Sequence, residues 1–169
     1  MAVAVTRLKK QGGNILNNKK KIKMIARGAM IAAIYAALTI SFAPISYGPV
    51  QVRIAEALTV LPFLWPEAVM GLFAGCLTAN FLGGLGIWDI GLGSTATLIA
   101  AWLTSKTTRP WLAPLPPVLI NGVIVGGYLS VLYNMPWWAA CIYVTVGQTA
   151  ACYLLGLPLL HLMLRNKQK

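Results

Sequence analysis

The sequence predicts an all-α integral membrane protein with six transmembrane helices. Three observations predict it. The 169 residues are 58% hydrophobic and only 10% charged, against about 25% charged in a soluble domain. The acidic residues are Glu56, Glu67 and Asp89 alone, all between or inside long apolar runs. The 14 Lys and Arg crowd at the two ends: eight lie at or before Arg27 and three at or after Arg165, with Lys106 and Arg109 in one short internal stretch. Flanking basic residues of this kind anchor membrane spans on the cytoplasmic side. The formal net charge of +11 invites a nucleic-acid reading, but the charges form no stripe along a folded face, and no nucleic-acid partner is expected.

Residues 1–23 read as a basic N-terminal extension, expected to be disordered, and 24–169 as the six-helix membrane domain. The uncharged run 28–52 is longer than a signal-peptide core of about 7–15 residues, so it reads as a retained span. About 20 apolar residues cross the hydrocarbon, and 28–47 supplies them as span one. Residues 50–65 are fewer and hold Arg53 and Glu56, so span two is weak, tilted or shielded by its neighbours. Pro66 and Glu67 start span three, 68–86, and the glycines of 83–88 turn the chain. Span four, 90–105, is short. Residues 106–117 hold four prolines and form a loop. Residues 110–164 then carry no formal charge apart from protonation of His161, enough for spans five (117–133) and six (137–164), divided by the Asn134-Met135-Pro136 turn signal.

Six spans place both termini on one side. With the N-terminus cytoplasmic, the Lys106/Arg109 loop and the C-terminal tail are cytoplasmic too, and the external loops carry a single basic residue, Arg53. The positive-inside rule favours this multi-pass orientation in the cell membrane. Trp65, Trp102 and Trp111 then fall near the inner interface. Tyr47, Trp88, Tyr133, Trp137 and Trp138 fall near the outer one.

Small residues recur every four positions. Ala29, Ala33 and Ala37 form one row of span one, and Gly28, Ala32 and Ala36 another. In lipid, helix association rests on close packing rather than on expelling water, and such rows let a second backbone approach. Gly71/Gly75 and Gly122/Gly126 repeat the spacing and are expected to pack helices internally. The span-one rows also suit a surface for another protein.

Several chemistries are excluded. No G-x-x-x-x-G-K-[ST] loop occurs. His161 has no carboxylate near it in sequence, and no Ser/His/Asp set assembles on one side of the membrane. Cys76, Cys141 and Cys152 are an odd, scattered trio with no C-x-x-C, so neither a disulfide framework nor a metal site is indicated. Gly91-Leu-Gly93-Ser-Thr-Ala96 mimics a dinucleotide fingerprint but has no βαβ unit around it. The chain is not expected to be an enzyme or to hold a cofactor of its own.

Ionisable groups at membrane depth are costly and mark candidate sites. Arg53 and Glu56, three apart, share a face if their stretch is helical. Mutual pairing competes there with ligand contact, though Arg before Glu is the weaker order for a pair. Asp89 either caps span four or meets a ligand. Asn80, Asn121, Tyr128 and Gln148 are the polar groups of spans three, five and six. Each is open to interhelical bonding or ligand contact, and Trp88 to stacking or interface anchoring. Glu67, on the cytoplasmic side, reads as a helix-start residue. If the candidates converge, they make an outward-facing pocket. Its carboxylates and amides read the donor edge of a purine-like ring, while its aromatics cover the ring face.

Three stretches carry a family resemblance: Ala26-Arg-Gly-Ala-Met-Ile-Ala-Ala-Ile-Tyr-Ala-Ala-Leu-Thr39, Tyr47-Gly-Pro-Val-Gln-Val-Arg-Ile-Ala-Glu-Ala-Leu-Thr-Val-Leu-Pro62 and Asp89-Ile-Gly-Leu-Gly-Ser-Thr-Ala-Thr-Leu-Ile-Ala-Ala101. The chain resembles, from about Met24 to Arg165, the queuosine-precursor transporter (QueT) family of substrate-binding S components of energy-coupling factor (ECF) transporters. The resemblance implies the six-helix S-component fold and a deazaguanine substrate, such as the aminomethyl or cyano form. It also implies that Ala29, Ala33 and Ala37 match the A-x-x-x-A row that packs on a transmembrane T component, and that two partner ATPases supply energy with ATP and magnesium. Of the site residues it reaches only Arg53, Glu56 and Asp89. Other readings are an S component for another flat vitamin-like heterocycle and a stand-alone secondary carrier.

Overall fold

A chain this poor in charge and rich in apolar residues has to leave much apolar surface outside. The structure, a computed structural model, describes residues 2–48, 51–84 and 86–167, with side chains from Leu16 onward. Its interior is mainly apolar but also holds ionisable and amide groups, and its exterior is apolar too. Arg53, Glu56, Asp89, Asn80, Asn121 and Gln148 are all buried, while Phe81, Leu119, Val123, Val146 and Leu154 are each more than half exposed. Water would oppose both arrangements; hydrocarbon around the bundle favours both.

The described residues are helical or turn, without strands. Helix α1 (Ala2–Ser41) takes in the basic extension, of which side chains 16–23 are exposed. It stops three residues before Pro44, which lacks an N–H and clashes with the preceding turn. The four-residue α2 (Ala43–Ser46) carries Pro44 in its first turn, so span one ends sooner than the sequence suggests. Ile54–Phe63 is a 3-10 helix, followed by α3 (Ala68–Gly83). Gly84 and Gly86 turn the chain with φ +75° and +90°, the left-handed region that favours glycine. A π-turn (Asp89–Gly93) leads into α4 (Ser94–Thr104). After a 3-10 turn (Pro110–Leu112) come α5 (Leu115–Leu132), α6 (Trp137–Thr149), a second π-turn (Ala150–Gly156) and α7 (Leu157–Lys167).

The six apolar rods occur in the predicted order, but they are unequal. Three stretches are by themselves long and apolar enough to cross a membrane: Leu16–Ser41, Pro110–Leu132 and the continuous Trp137–Lys167, of 26, 23 and 31 residues. The second π-turn lies within the last of these, just before Pro158, whose missing N–H interrupts the helical ladder. The other rods are short. At about 2.0 Å per residue a ten-residue 3-10 helix reaches about 20 Å, and it is shielded: seven of its ten residues are buried.

Span two therefore departs from the α-helix read in the sequence. Arg53 precedes the helix in extended conformation, φ −92° and ψ 106°, so it shares no helix face with Glu56. Pro62 inside the segment and its β-branched Ile54, Thr59 and Val60 disfavour a regular α-helix. A 3-10 run of this length is uncommon and often marks a strained or functional stretch.

Glycines bring the rods together. A Cβ on Gly71 would lie 2.5 Å from the Gly28 carbonyl oxygen of α1, and one on Gly75 2.7 Å from that of Ala32. On α5, a Cβ on Gly126 would lie 2.7 Å from Cys141 Cα of α6. Both glycine pairs thus serve internal packing. The Gly28/Ala32 row of α1 is used by α3, whereas Ala29, Ala33 and Ala37 are exposed.

Candidate functional site

Two buried polar nodes occupy the middle of the bundle. The first is built on Asp89, in the π-turn before α4. Arg53 Nη2 donates to both carboxylate oxygens, at 3.0 and 3.1 Å. Tyr128 of α5 donates its hydroxyl to Oδ1. Asn80 of α3 donates to the Asp89 backbone carbonyl at 2.8 Å. Arg53 is further held by the Ser46 carbonyl at 3.2 Å and lies over the Tyr47 ring, 5.3 Å from its centroid. Asp89 is no helix cap; it is the counter-charge that lets Arg53 be buried.

The π-turn makes this geometry possible. A Cβ on Gly93 would lie 2.9 Å from Asp89 Oδ1, 3.1 Å from Asn80 Nδ2 and 3.1 Å from the Tyr128 hydroxyl. Only a residue without a side chain leaves the three groups room to meet.

The second node is Glu56. It accepts from the Tyr35 hydroxyl at Oε1 and from Asn121 Nδ2 at Oε2, the latter at 3.3 Å. Among the described residues no cation is within ion-pair distance of its carboxylate. Its backbone carbonyl accepts from Thr59 Oγ1 at 2.6 Å and lies 3.5 Å from Cys152 Sγ. That thiol is in turn 3.6 Å from Gln148 Oε1, so Gln148 reaches this node through Cys152. Cys76 stands between the nodes, with Thr97 Oγ1 at 3.3 Å, Asn80 Nδ2 at 3.4 Å and Arg53 Nη1 at 3.9 Å from its sulfur.

The structure thus brings together Arg53, Glu56, Asn80, Asp89, Asn121 and Tyr128, with Gln148 at the edge. It changes one pairing and one placement. Arg53 pairs with Asp89 rather than with Glu56, because it stands outside the 3-10 helix. Trp88 lies outside the polar cluster: it is 55% exposed and borders an apolar groove of about 440 Å³ with Leu92, Ile124 and Tyr128. Glu67 pairs with Arg27 at the basic end of the bundle.

The sequence reading missed Tyr35, Ser46 and Gln51. Tyr35 is the one bulky polar side chain amid the small residues of span one, and that contrast was the available signal. Gln51, two residues before Arg53, is buried with a positive φ of 44°, which nothing in its residue type announces. Four buried polar atoms have no partner among the described residues: Ser46 Oγ, Gln51 Nε2, Asn80 Oδ1 and Asn121 Oδ1. Such groups are few in native structures, and each calls for an explanation. They comprise two amide acceptors, an amide donor and a hydroxyl, and the Glu56 carboxylate has no cation within ion-pair distance among the described residues.

Comparison with known proteins places the chain in a family. A family model described as QueT transporter matches residues 25–165. A protein named Queuosine precursor transporter QueT, from Lactococcus lactis subsp. cremoris (strain MG1363), is 34% identical over 83 residues, which are 48% of this chain and 48% of that protein. In this match the chain spans about half the length of the relative. No solved structure matches.

Proposed function

We propose that this chain, which belongs to the QueT transporter family, is the substrate-binding S component of an ECF-type importer for a deazaguanine precursor of queuosine. The observation that carries the reading is Glu56, a buried carboxylate held by a tyrosine and an asparagine rather than by a cation. A carboxylate so placed is free to accept from the donor edge of a guanine-like ring, or to pair with the amine of the aminomethyl form. Asn80 Oδ1 and Asn121 Oδ1 supply further acceptors and Gln51 Nε2 a donor, matching a ring that carries both N–H groups and a carbonyl. Asp89 and Arg53 neutralise each other and position Tyr128 and Asn80 around the site.

The exposed row Ala29, Ala33 and Ala37 supports docking of a T component on α1, with two ATPase subunits supplying ATP-driven energy. Basic residues at both termini and in the 106–109 loop support cytoplasmic termini.

Equilibrium binding to the detergent-purified chain alone tests the reading. The aminomethyl and cyano deazaguanines are expected to bind selectively over guanine and riboflavin. Absence of binding by demonstrably folded protein overturns it. Uptake by the chain without energising subunits would indicate a secondary carrier instead.

A further inference from the structure

At the basic end of the bundle, α1, the end of the 3-10 segment and α7 enclose a cleft of about 390 Å³ lined by Arg27, Leu64, Trp65, Met163, Asn166 and Lys167. We propose that this cleft binds the headgroup of an anionic phospholipid. The proposal rests on the chain being embedded in a membrane, not on the substrate or partners assigned above.

The cleft has the chemistry for it. Arg27 gives Nη1 to Glu67 and lies over the Trp65 ring, 4.5 Å from its centroid. A guanidinium has five N–H donors, so the ion pair and the ring fix its plane without exhausting them. Lys167 and Asn166 add donors from the last turn of α7. Leu64, Met163 and Trp65 supply an apolar wall where an acyl chain would continue from a phosphate. Glu67 is the one acidic group at this end. It offsets part of the Arg27 charge, but Lys23 one turn earlier on α1 and Arg165 on α7 leave the surroundings net basic. Tryptophan beside basic side chains is the usual composition of the membrane–water interface, and basic pockets between helix ends are known acceptors of anionic headgroups. A soluble phosphate shares the polar chemistry but makes no use of the apolar wall.

Native mass spectrometry of the full chain, with one lipid added at a time, tests this. Wild-type protein is expected to retain one phosphatidylglycerol well above phosphatidylcholine. Lys167→Gln, an exposed and structurally mild change, is expected to lower that preference about fivefold. Adding Arg27→Gln to it brings the preference close to parity, while Arg109→Gln, basic but outside the cleft, leaves it unchanged. Equal retention of both lipids by wild type overturns the proposal, as does an equal loss in Arg109→Gln and Lys167→Gln. Displacement of the lipid by glycerol phosphate or inorganic phosphate at equal concentration assigns the cleft to a soluble anion and overturns it too. Deazaguanine binding measured on the same preparations reports on the substrate reading separately, because none of its residues lines the cleft.

Discussion

At the scale of residues, Arg53 pairs with Asp89 and leaves Glu56 without a cation, so the Arg53–Glu56 pairing that the sequence left open does not form. Burying the Arg53–Asp89 pair is tolerable only while both members are present. Removing one leaves a charge in low dielectric, at a cost of about 3–5 kcal/mol, whereas replacing both by apolar residues is often nearly neutral. Arg53→Met is therefore expected to lower the thermal midpoint in detergent sharply, and Arg53→Met with Asp89→Leu to recover much of it. A single mutant as stable as wild type would remove the pair from the account. Glu56 has no such counter-charge, so Glu56→Ala is expected to weaken deazaguanine binding about tenfold or more while folded, inserted protein is still recovered, with a lower midpoint because the Tyr35 and Asn121 donors lose their acceptor. Loss of inserted, folded protein in that mutant would make Glu56 structural. Gly93→Ala tests the node from its crowded side. Its new methyl meets Asp89 and Tyr128, and overpacking of this kind costs about 1–3 kcal/mol; stability and binding are expected to fall together. The sequence exposed Glu56 and Asp89 by their rarity. It hid Gly93, because a glycine in an apolar run does not say which side chains it makes room for.

At the scale of elements, α1 shows what spacing reveals and what it leaves open. Two rows of small residues at four-residue intervals were readable at once. Which row meets α3 and which faces outward was not, since periodicity defines a face and not its occupant. The structure uses Gly28 and Ala32 internally, against Gly71 and Gly75, and leaves Ala29, Ala33 and Ala37 exposed. Substitutions on the two sides should therefore fail differently. Gly75→Leu is expected to disrupt α1–α3 packing and abolish both folding and binding, as its Cβ already falls 2.7 Å from a backbone oxygen. Ala33→Leu is expected to spare folding and binding and to block uptake in cells carrying the energising subunits. Full uptake by Ala33→Leu would take the docking role away from this row. The 3-10 segment was the least legible element. Its apolar run and length read as a short α-span, and only Pro62 and the β-branched residues hinted at a tighter helix.

At the scale of the whole molecule, the apolar exterior and the placement of the basic residues come from the same scarcity of charge. The few acidic groups are consumed within the fold: Asp89 by Arg53, Glu67 by Arg27, and Glu56 in the candidate site. The basic residues outside those pairs stay at the ends and in the 106–109 loop, where the positive-inside rule makes them determinants of orientation. This argument was available from the sequence, because orientation depends on where charges fall along the chain and not on how the rods pack. The number of crossings was less accessible, since three of the six rods are too short to reveal a span by length and depend on their neighbours for shielding. Orientation and crossing number meet in one experiment. In a background with Cys76, Cys141 and Cys152 replaced by alanine, Asn134→Cys and Thr108→Cys place single thiols at exposed turns on either side of α5. A membrane-impermeant maleimide applied to intact cells is expected to label the thiol at 134 and to reach the one at 108 only after permeabilisation. The reverse pattern would invert the proposed orientation. Labelling of both from outside would show that α5 does not cross, and six spans would then be too many.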